Sequence, residues 1–276
     1  MQGRLVKRVL RSQGKKWCKK SPVLGKGSFG TVVLVRYLGK QYAVKTMSTQ
    51  KYGPFYAAVR EEYCQFQHRN IVTRYDSMWH NFKWVGLYEV GTPIKDACHA
   101  SVLVDILGAL AFLHARGIAH RDVKPDNILC FGGVYKLIDF GLARPLVETD
   151  TAQTGYVCSR WWRPLELLQG KMTDVRCDVW SLGVVCLGLK RKTTVFYGTV
   201  EHIVQQFEKL SWERDEILYR KMVCVLDKRW TSWQLCDHLR VKYRMDVSVK
   251  LPPSKERSAL LGHEVDWHHY CRRGYI

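Results

Sequence analysis

The chain lacks three things: a Cys-x-x-Cys pair among its ten cysteines, an apolar run of the roughly 18–20 residues a membrane span needs, and any repeat or low-complexity tract. Each absence removes a class. Zinc sites and disulfide-stapled secreted domains show paired cysteine spacing, whereas the cysteines from Cys18 to Cys271 stand mostly alone and read as reduced, mostly buried thiols. Two short clusters, Cys236-Asp237-His238 and His268-His269-Tyr270-Cys271, carry metal donors, but a metal site needs three or four groups that converge. Residues 1–20 hold Arg4, Lys7, Arg8, Arg11, Lys15, Lys16, Lys19 and Lys20 with no acid and no long apolar core, so they do not read as a secretory leader. An intracellular protein, cytoplasmic or nuclear and without a membrane span, is expected.

Acidic residues are scarce too. Against 44 Lys and Arg stand 25 Asp and Glu, a formal charge of +19, which implies contact with polyanions, acidic substrates or acidic partners and says nothing about fold. Nothing resembles a nucleic-acid-binding module. With 46% hydrophobic and 25% charged residues over 276 positions the chain is globular, long enough for one two-lobed catalytic domain or two small domains.

What is present centres on His120-Arg121-Asp122-Val123-Lys124-Pro125-Asp126-Asn127-Ile128-Leu129 and Ile138-Asp139-Phe140-Gly141. A carboxylate, a cation, an amide and a second carboxylate at fixed offsets are the groups needed to move a phosphoryl group to a hydroxyl. Such transfer needs little covalent help and much positioning: an acceptor held in line, metal ions on the phosphates and neutralised charge. Asp122 is expected to take the hydroxyl proton, Lys124 to stand near the moving charge, and Asn127 and Asp139 to ligate Mg²⁺.

These two segments resemble the catalytic loop and Asp-Phe-Gly motif of the eukaryotic protein kinases, with ten positions agreeing in kind and order. The resemblance covers about residues 20–245. It implies an α+β, two-lobed protein kinase fold: a small antiparallel-sheet N-lobe with one helix (21–91) and a larger, mainly helical C-lobe (92–245), between a basic extension at 1–20 and an unassigned one at 246–276. It also implies ATP and Mg²⁺ as cofactors.

Upstream, Leu24-Gly25-Lys26-Gly27-Ser28-Phe29-Gly30-Thr31-Val32 is a glycine-rich turn whose missing side chains let backbone amides approach phosphates. A dinucleotide site would open a helix here, yet Val32-Val33-Leu34-Val35 continues as strand. Tyr42-Ala43-Val44-Lys45 follows as a second strand, with Ala43 and Lys45 on one face. By resemblance, Leu24, Val32 and Ala43 meet the adenine, Leu129 belongs to the nucleotide-binding set, and Lys45 meets the α- and β-phosphates. Lys45 needs a carboxylate from the helix at 57–66. Glu62 is favoured because Phe66 lies four positions on, with Glu61 the alternative. Tyr88 is expected behind the adenine, and the backbone from Glu89 to Gly91 at its edge. Ser101–Arg116 reads as an amphipathic helix that delivers the catalytic loop.

After Asp139, the stretch Thr154-Gly155-Tyr156 through Ser159-Arg160-Trp161-Trp162-Arg163-Pro164-Leu165-Glu166 resembles the activation lip of cyclin-dependent and MAP kinases. Thr154 and Tyr156 are the expected phosphosites, with Arg121 as their partner. Pro164-Leu165-Glu166 departs from the family's Ala-Pro-Glu. Glu166 is retained, with Arg229 as its expected buried partner, and Asp178 is expected to brace the catalytic loop. Lys124 and Ser159 imply a serine/threonine kinase, and Arg163 implies a proline-directed one. Protein substrates, an activating partner or upstream kinase, and a polyanion contact are the partner classes implied. Two alternatives are a silent kinase-fold scaffold, disfavoured because Lys45, Asp122, Asn127 and Asp139 are all present, and a basic protein that mainly binds nucleic acid.

Overall fold

The computed structural model describes residues 3–12, 21–145, 159–171 and 173–243. Within them the strands β1 (Val23–Lys26), β2 (Gly30–Tyr37), β3 (Lys40–Ser48), β4 (Arg74–His80) and β5 (Lys83–Tyr88) form an antiparallel sheet in the order β1-β2-β3-β5-β4. Two tight hairpins set its register. Leu38-Gly39 joins β2 to β3 and Asn81-Phe82 joins β4 to β5, each a two-residue loop with both residues at positive φ, which matches the right-handed twist of the paired strands.

Both faces of the sheet are covered. On one lies α2 (Tyr52–Tyr63), the expected N-lobe helix. On the other lies α1 (Arg4–Ser12), inside the stretch read as a basic extension. Val6 and Val9 are fully buried against Val33, Val35, Val44, Val85 and Leu87, while Arg4, Lys7, Arg8 and Arg11 face solvent. The first turn of α1 contains no acid. Asp76 of β4 takes that place, accepting the N–H groups of Gly3 (2.7 Å), Leu5 (2.9 Å) and Val6 (3.1 Å) that a helix start leaves without partners.

Beyond Gly91 the chain forms β6 (Thr92–Pro93) and then α3 (His99–His114). The amphipathic reading of this helix is corrected: Val102, Leu103, Ile106, Leu107, Leu110, Ala111 and Leu113 are all buried, so apolar residues run nearly all round it. It packs against α5 (Arg176–Arg191), α8 (Ser232–Tyr243) and the strand β9 (Val134–Leu137). Between lie β7 (Ile118–Ala119), β8 (Ile128–Phe131), β10 (Arg144–Pro145) and the short α4 (Leu165–Leu168); α6 (Val200–Glu208) and α7 (Ile217–Met222) complete the helical lobe. Trp180 of α5 is fully buried, stacked on Phe196 and under the Arg229 guanidinium.

The seven described cysteines divide, fewer of them fully buried than expected. Cys177, Cys186 and Cys236 are buried, Cys64, Cys130 and Cys224 partly so, and Cys98 is exposed. Burial pushes the Cys64 and Cys236 thiols up to about 12, which keeps them protonated and inert. No helix among the described residues is long and apolar enough to cross a membrane.

Candidate active site

Strand alternation sets the first half of the site. Ala43 and Lys45 share the face of β3 that looks into the cleft, and Lys45 Nζ lies 2.5 Å from Glu61 Oε1 and 2.9 Å from Asp139 Oδ1. The pairing expected of Glu62 therefore belongs to Glu61. The helix explains the error: α2 ends at Tyr63, so Phe66 lies beyond it and cannot mark a helical face. Phe66 instead packs on Phe112 and Phe140, ring centroids 5.9 Å away in each case. Glu61 is 3% exposed and fully engaged, accepting also from the Tyr88 hydroxyl (2.8 Å) and the Phe140 N–H (3.1 Å).

Electrostatics hold Lys45 and Asp139 ionised. Burial alone would lower the Lys45 pKa, but Asp139 and Glu61 outweigh it and the ammonium titrates well above the ordinary lysine value. Burial alone would raise Asp139; the Lys45 charge and the Gly141 N–H bring it down to about 2. Burial and the neighbouring Glu61 push the Tyr88 phenol well up, so it remains a hydrogen-bond donor.

The second half is a loop pinned from below. Asp178, 1% exposed on α5, accepts the N–H groups of His120 (2.7 Å) and Arg121 (2.8 Å) and lies 3.1 Å from His114 Nε2. His114 is backed in turn by Ser232 Oγ at 3.0 Å, two supports not anticipated from sequence. Burial would raise the Asp178 pKa, yet His114, His120 and the backbone donors lower it. This bracket holds Arg121 at φ +69°, a left-handed conformation unusual for arginine; Asp139 sits at φ +61°.

Above the bracket, polar groups converge on Asp122. Lys124 Nζ lies 2.8 Å from Asp122 Oδ2, and Asn127 Nδ2 donates to both the Asp122 backbone oxygen and Oδ2 at 2.8 Å. Ser159 places N and Oγ each 3.2 Å from Oδ1, and Lys124 Nζ also reaches Ser159 Oγ at 2.9 Å. With both amide hydrogens of Asn127 spent on Asp122, its carbonyl oxygen is the atom left for a cation. An ionised Asp139 carboxylate supplies the anionic oxygen. This donor set suits Mg²⁺, which prefers one or two carboxylates plus neutral oxygens.

Between the lobes runs a continuous cavity of about 1290 Å³. Leu24, Gly25, Lys26, Gly27, Val32, Ala43, Lys45, Glu89, Gly91 and Leu129 line it as anticipated, with Asn127 and Asp139. Ser28, Phe29 and Gly30 do not. Phe29 folds toward Gly141, and Gly30 is where β2 crosses β3 so closely that a Cβ would lie 2.2 Å from the Thr46 oxygen. Glu62 is also absent from the lining; Val72 and Ile138 are additions. The Glu89 carboxylate turns to Lys136 (2.7 and 2.9 Å) and the Thr73 N–H (2.6 Å), and its own N–H donates to the Thr73 carbonyl (3.2 Å), which leaves its backbone carbonyl for the cleft edge.

Deeper in the helical lobe Arg229, 2% exposed, grips Glu166 with two nitrogens at 2.7 and 3.0 Å, so the altered Pro164-Leu165 retains the anchored carboxylate. Arg121 is 7% exposed. Thr154 and Tyr156 lie outside the described residues.

The family model for the protein kinase domain matches residues 18–239, and the chain belongs to that family. Among curated proteins it is 31% identical over 266 residues to cyclin-dependent kinase 2 of Caenorhabditis elegans, covering 88% of this chain and 69% of that one. It is 34% identical over 197 residues to cyclin-dependent kinase F-4 of Oryza sativa subsp. japonica (64% and 42%) and 30% identical over 197 to the serine/threonine-protein kinase MAK of Homo sapiens (64% and 32%). The chain thus spans less than half the length of the latter two. Two of these relatives are named cyclin-dependent kinases and the third a serine/threonine-protein kinase.

Proposed function

We propose that the chain transfers the γ-phosphoryl group of ATP to serine or threonine hydroxyls of protein substrates. The observation that carries this reading is the convergence of Lys124, Asn127 and Ser159 on the Asp122 carboxylate, across the cleft from the Lys45–Glu61–Asp139 cluster. Asp122 orients the acceptor hydroxyl and takes its proton as the new O–P bond forms and the bond to the ADP leaving oxygen breaks. Lys124 offsets charge on the transferring group. Lys45, fixed by Glu61, holds the non-transferring phosphates. Asn127 and Asp139 would hold Mg²⁺, which when bound neutralises charge on the phosphate oxygens.

A hydroxyl on a short aliphatic side chain suits a site where Lys124 and Ser159 crowd Asp122. Arg163 and the cyclin-dependent relatives favour substrates with proline after the acceptor. Phosphate on Thr154 or Tyr156, paired with Arg121, is the regulatory reading, and the lobes divide near Gly91.

The test is phosphate transfer from labelled Mg-ATP to a general basic protein, comparing the native chain with Asp122→Asn and Asp139→Asn. Asp122→Asn is expected to lose about 10²–10⁴-fold in kcat, and Asp139→Asn to fall to background, with circular dichroism unchanged. Label on Ser/Thr that persists in both variants would sink the assignment; silence of folded native chain phosphorylated on Thr154 would support the scaffold alternative.

A further inference from the structure

Adjacent glutamates on α2 face about 100° apart, so they cannot serve the same partner. Glu61 looks into the cleft at Lys45. Glu62 looks back at the sheet, where its carboxylate accepts from Trp84 Nε1 (2.7 Å) and Ser77 Oγ (3.1 Å) and lies 3.7 Å from Arg74 Nη2. Trp84 is fully buried, Ser77 and Arg74 nearly so. Arg74 does more than neutralise. Its guanidinium donates to the carbonyls of Glu61 (2.5 Å) and Glu62 (3.2 Å), oxygens that the end of a helix leaves without partners, and to the Gln65 side chain at Oε1 (2.8 Å).

The pairing of β4 with β5 explains how one strand reaches the helix twice. Arg74 pairs with Tyr88 and Asp76 with Leu87, a bulge at Tyr75. In a regular strand residues 74 and 77 would project to opposite faces; the bulge puts both on the face of Tyr88 and Gly86, which is the face α2 covers. Asp76, on the other face, holds α1. Among the described residues, the donors to Glu62 thus come from the β4–β5 hairpin of this same chain.

We infer that Glu62 is a positioning residue that locks α2 to the hairpin, so that Glu61 sits on Lys45 without a second protein to push the helix inward. The activity arm of its test rests on the phosphotransfer reading; the exchange arm does not.

In the full chain with no partner added, amide hydrogen exchange over residues 57–63 should be slow. It should accelerate at least about tenfold in Glu62→Ala, with α3 and α5 unchanged, because a carboxylate bonded to buried donors is lost. Glu62→Gln, which keeps an acceptor for Trp84, should recover part of the protection. Trp84→Phe removes the Nε1–H donor and keeps an aromatic, though smaller, side chain at this fully buried position; it serves should Glu62→Ala not fold. For activity, Glu62→Ala should lower kcat/KM for ATP about tenfold in the native background and less than about twofold in Glu61→Ala, since a residue acting through Glu61 has nothing left to position there.

Equal losses in both backgrounds would mean a general effect on folding and would overturn the inference. So would unchanged exchange over 57–63 in the variants, or native α2 that gains protection only when a second protein is added. If α2 responds as expected while native chain transfers no phosphate, the anchoring stands and the phosphotransfer reading fails.

Discussion

Asp139 carries the clearest pH signature in the cleft. Its folded value of about 2 lies below the ordinary 3.8, so the carboxylate stabilises the fold above about pH 4, and this contribution is lost as pH falls toward 2. Lys45 runs the other way: raised above the ordinary lysine value, it contributes fully below that value and is lost only in strong alkali. Melting temperature measured from pH 5 to 2 should therefore fall less steeply for Asp139→Asn than for the native chain; parallel curves would contradict the assignment. At this scale the sequence was highly legible where neighbours in space are neighbours in the chain. Asp122, Lys124 and Asn127 lie within six residues, and their mutual bonds follow from one turn of backbone. The choice between Glu61 and Glu62 was not legible, because it depends on where α2 stops and on donors at positions 74, 77 and 84 supplied by the strands β4 and β5.

Among the elements, α1 shows what local pattern conceals. As sequence, its alternation of basic residues with Leu5, Val6, Val9 and Leu10 looks like a charged extension. The helix has no acid of its own near its start, and the residue that supplies one, Asp76, lies more than 70 positions away. Removing that carboxylate leaves helix-start amides without partners. Asp76→Ala should cost about 1–2 kcal/mol of local stability. Exchange of the amides at 5–11 should speed accordingly, and amides there that stay protected would refute the capping role. By contrast β2, β3 and the helix before the catalytic loop could be placed from apolar pattern, although α3 proved more deeply buried than its pattern required because α5, α8 and β9 cover it on several sides.

The molecule as a whole carries a formal charge of +19, and α1 presents four of its cations on one outward side. Charge of this size acts at long range and is screened by salt. Binding to single-stranded DNA, used as a plain polyanion, should be independent of sequence and should weaken about 10³-fold between about 50 and 200 mM salt. Affinity that persists at high salt and discriminates among sequences would revive nucleic-acid recognition as a primary role. The two-lobed α+β architecture was accessible from motif order along the chain; the covering of both sheet faces was not.

The bond between Tyr88 and Glu61 has a consequence for inhibitor selectivity. Tyr88 closes the rear of the cleft, and its hydroxyl is tied to the carboxylate that holds Lys45. A compound that fills only the front leaves this tie intact and accepts the helix where it stands. One that reaches behind the phenol must break the tie and compete for Glu61, so depth of penetration and disengagement of Lys45 become a single pharmacological variable. Exchanging tyrosine for phenylalanine at position 88 would uncouple the two.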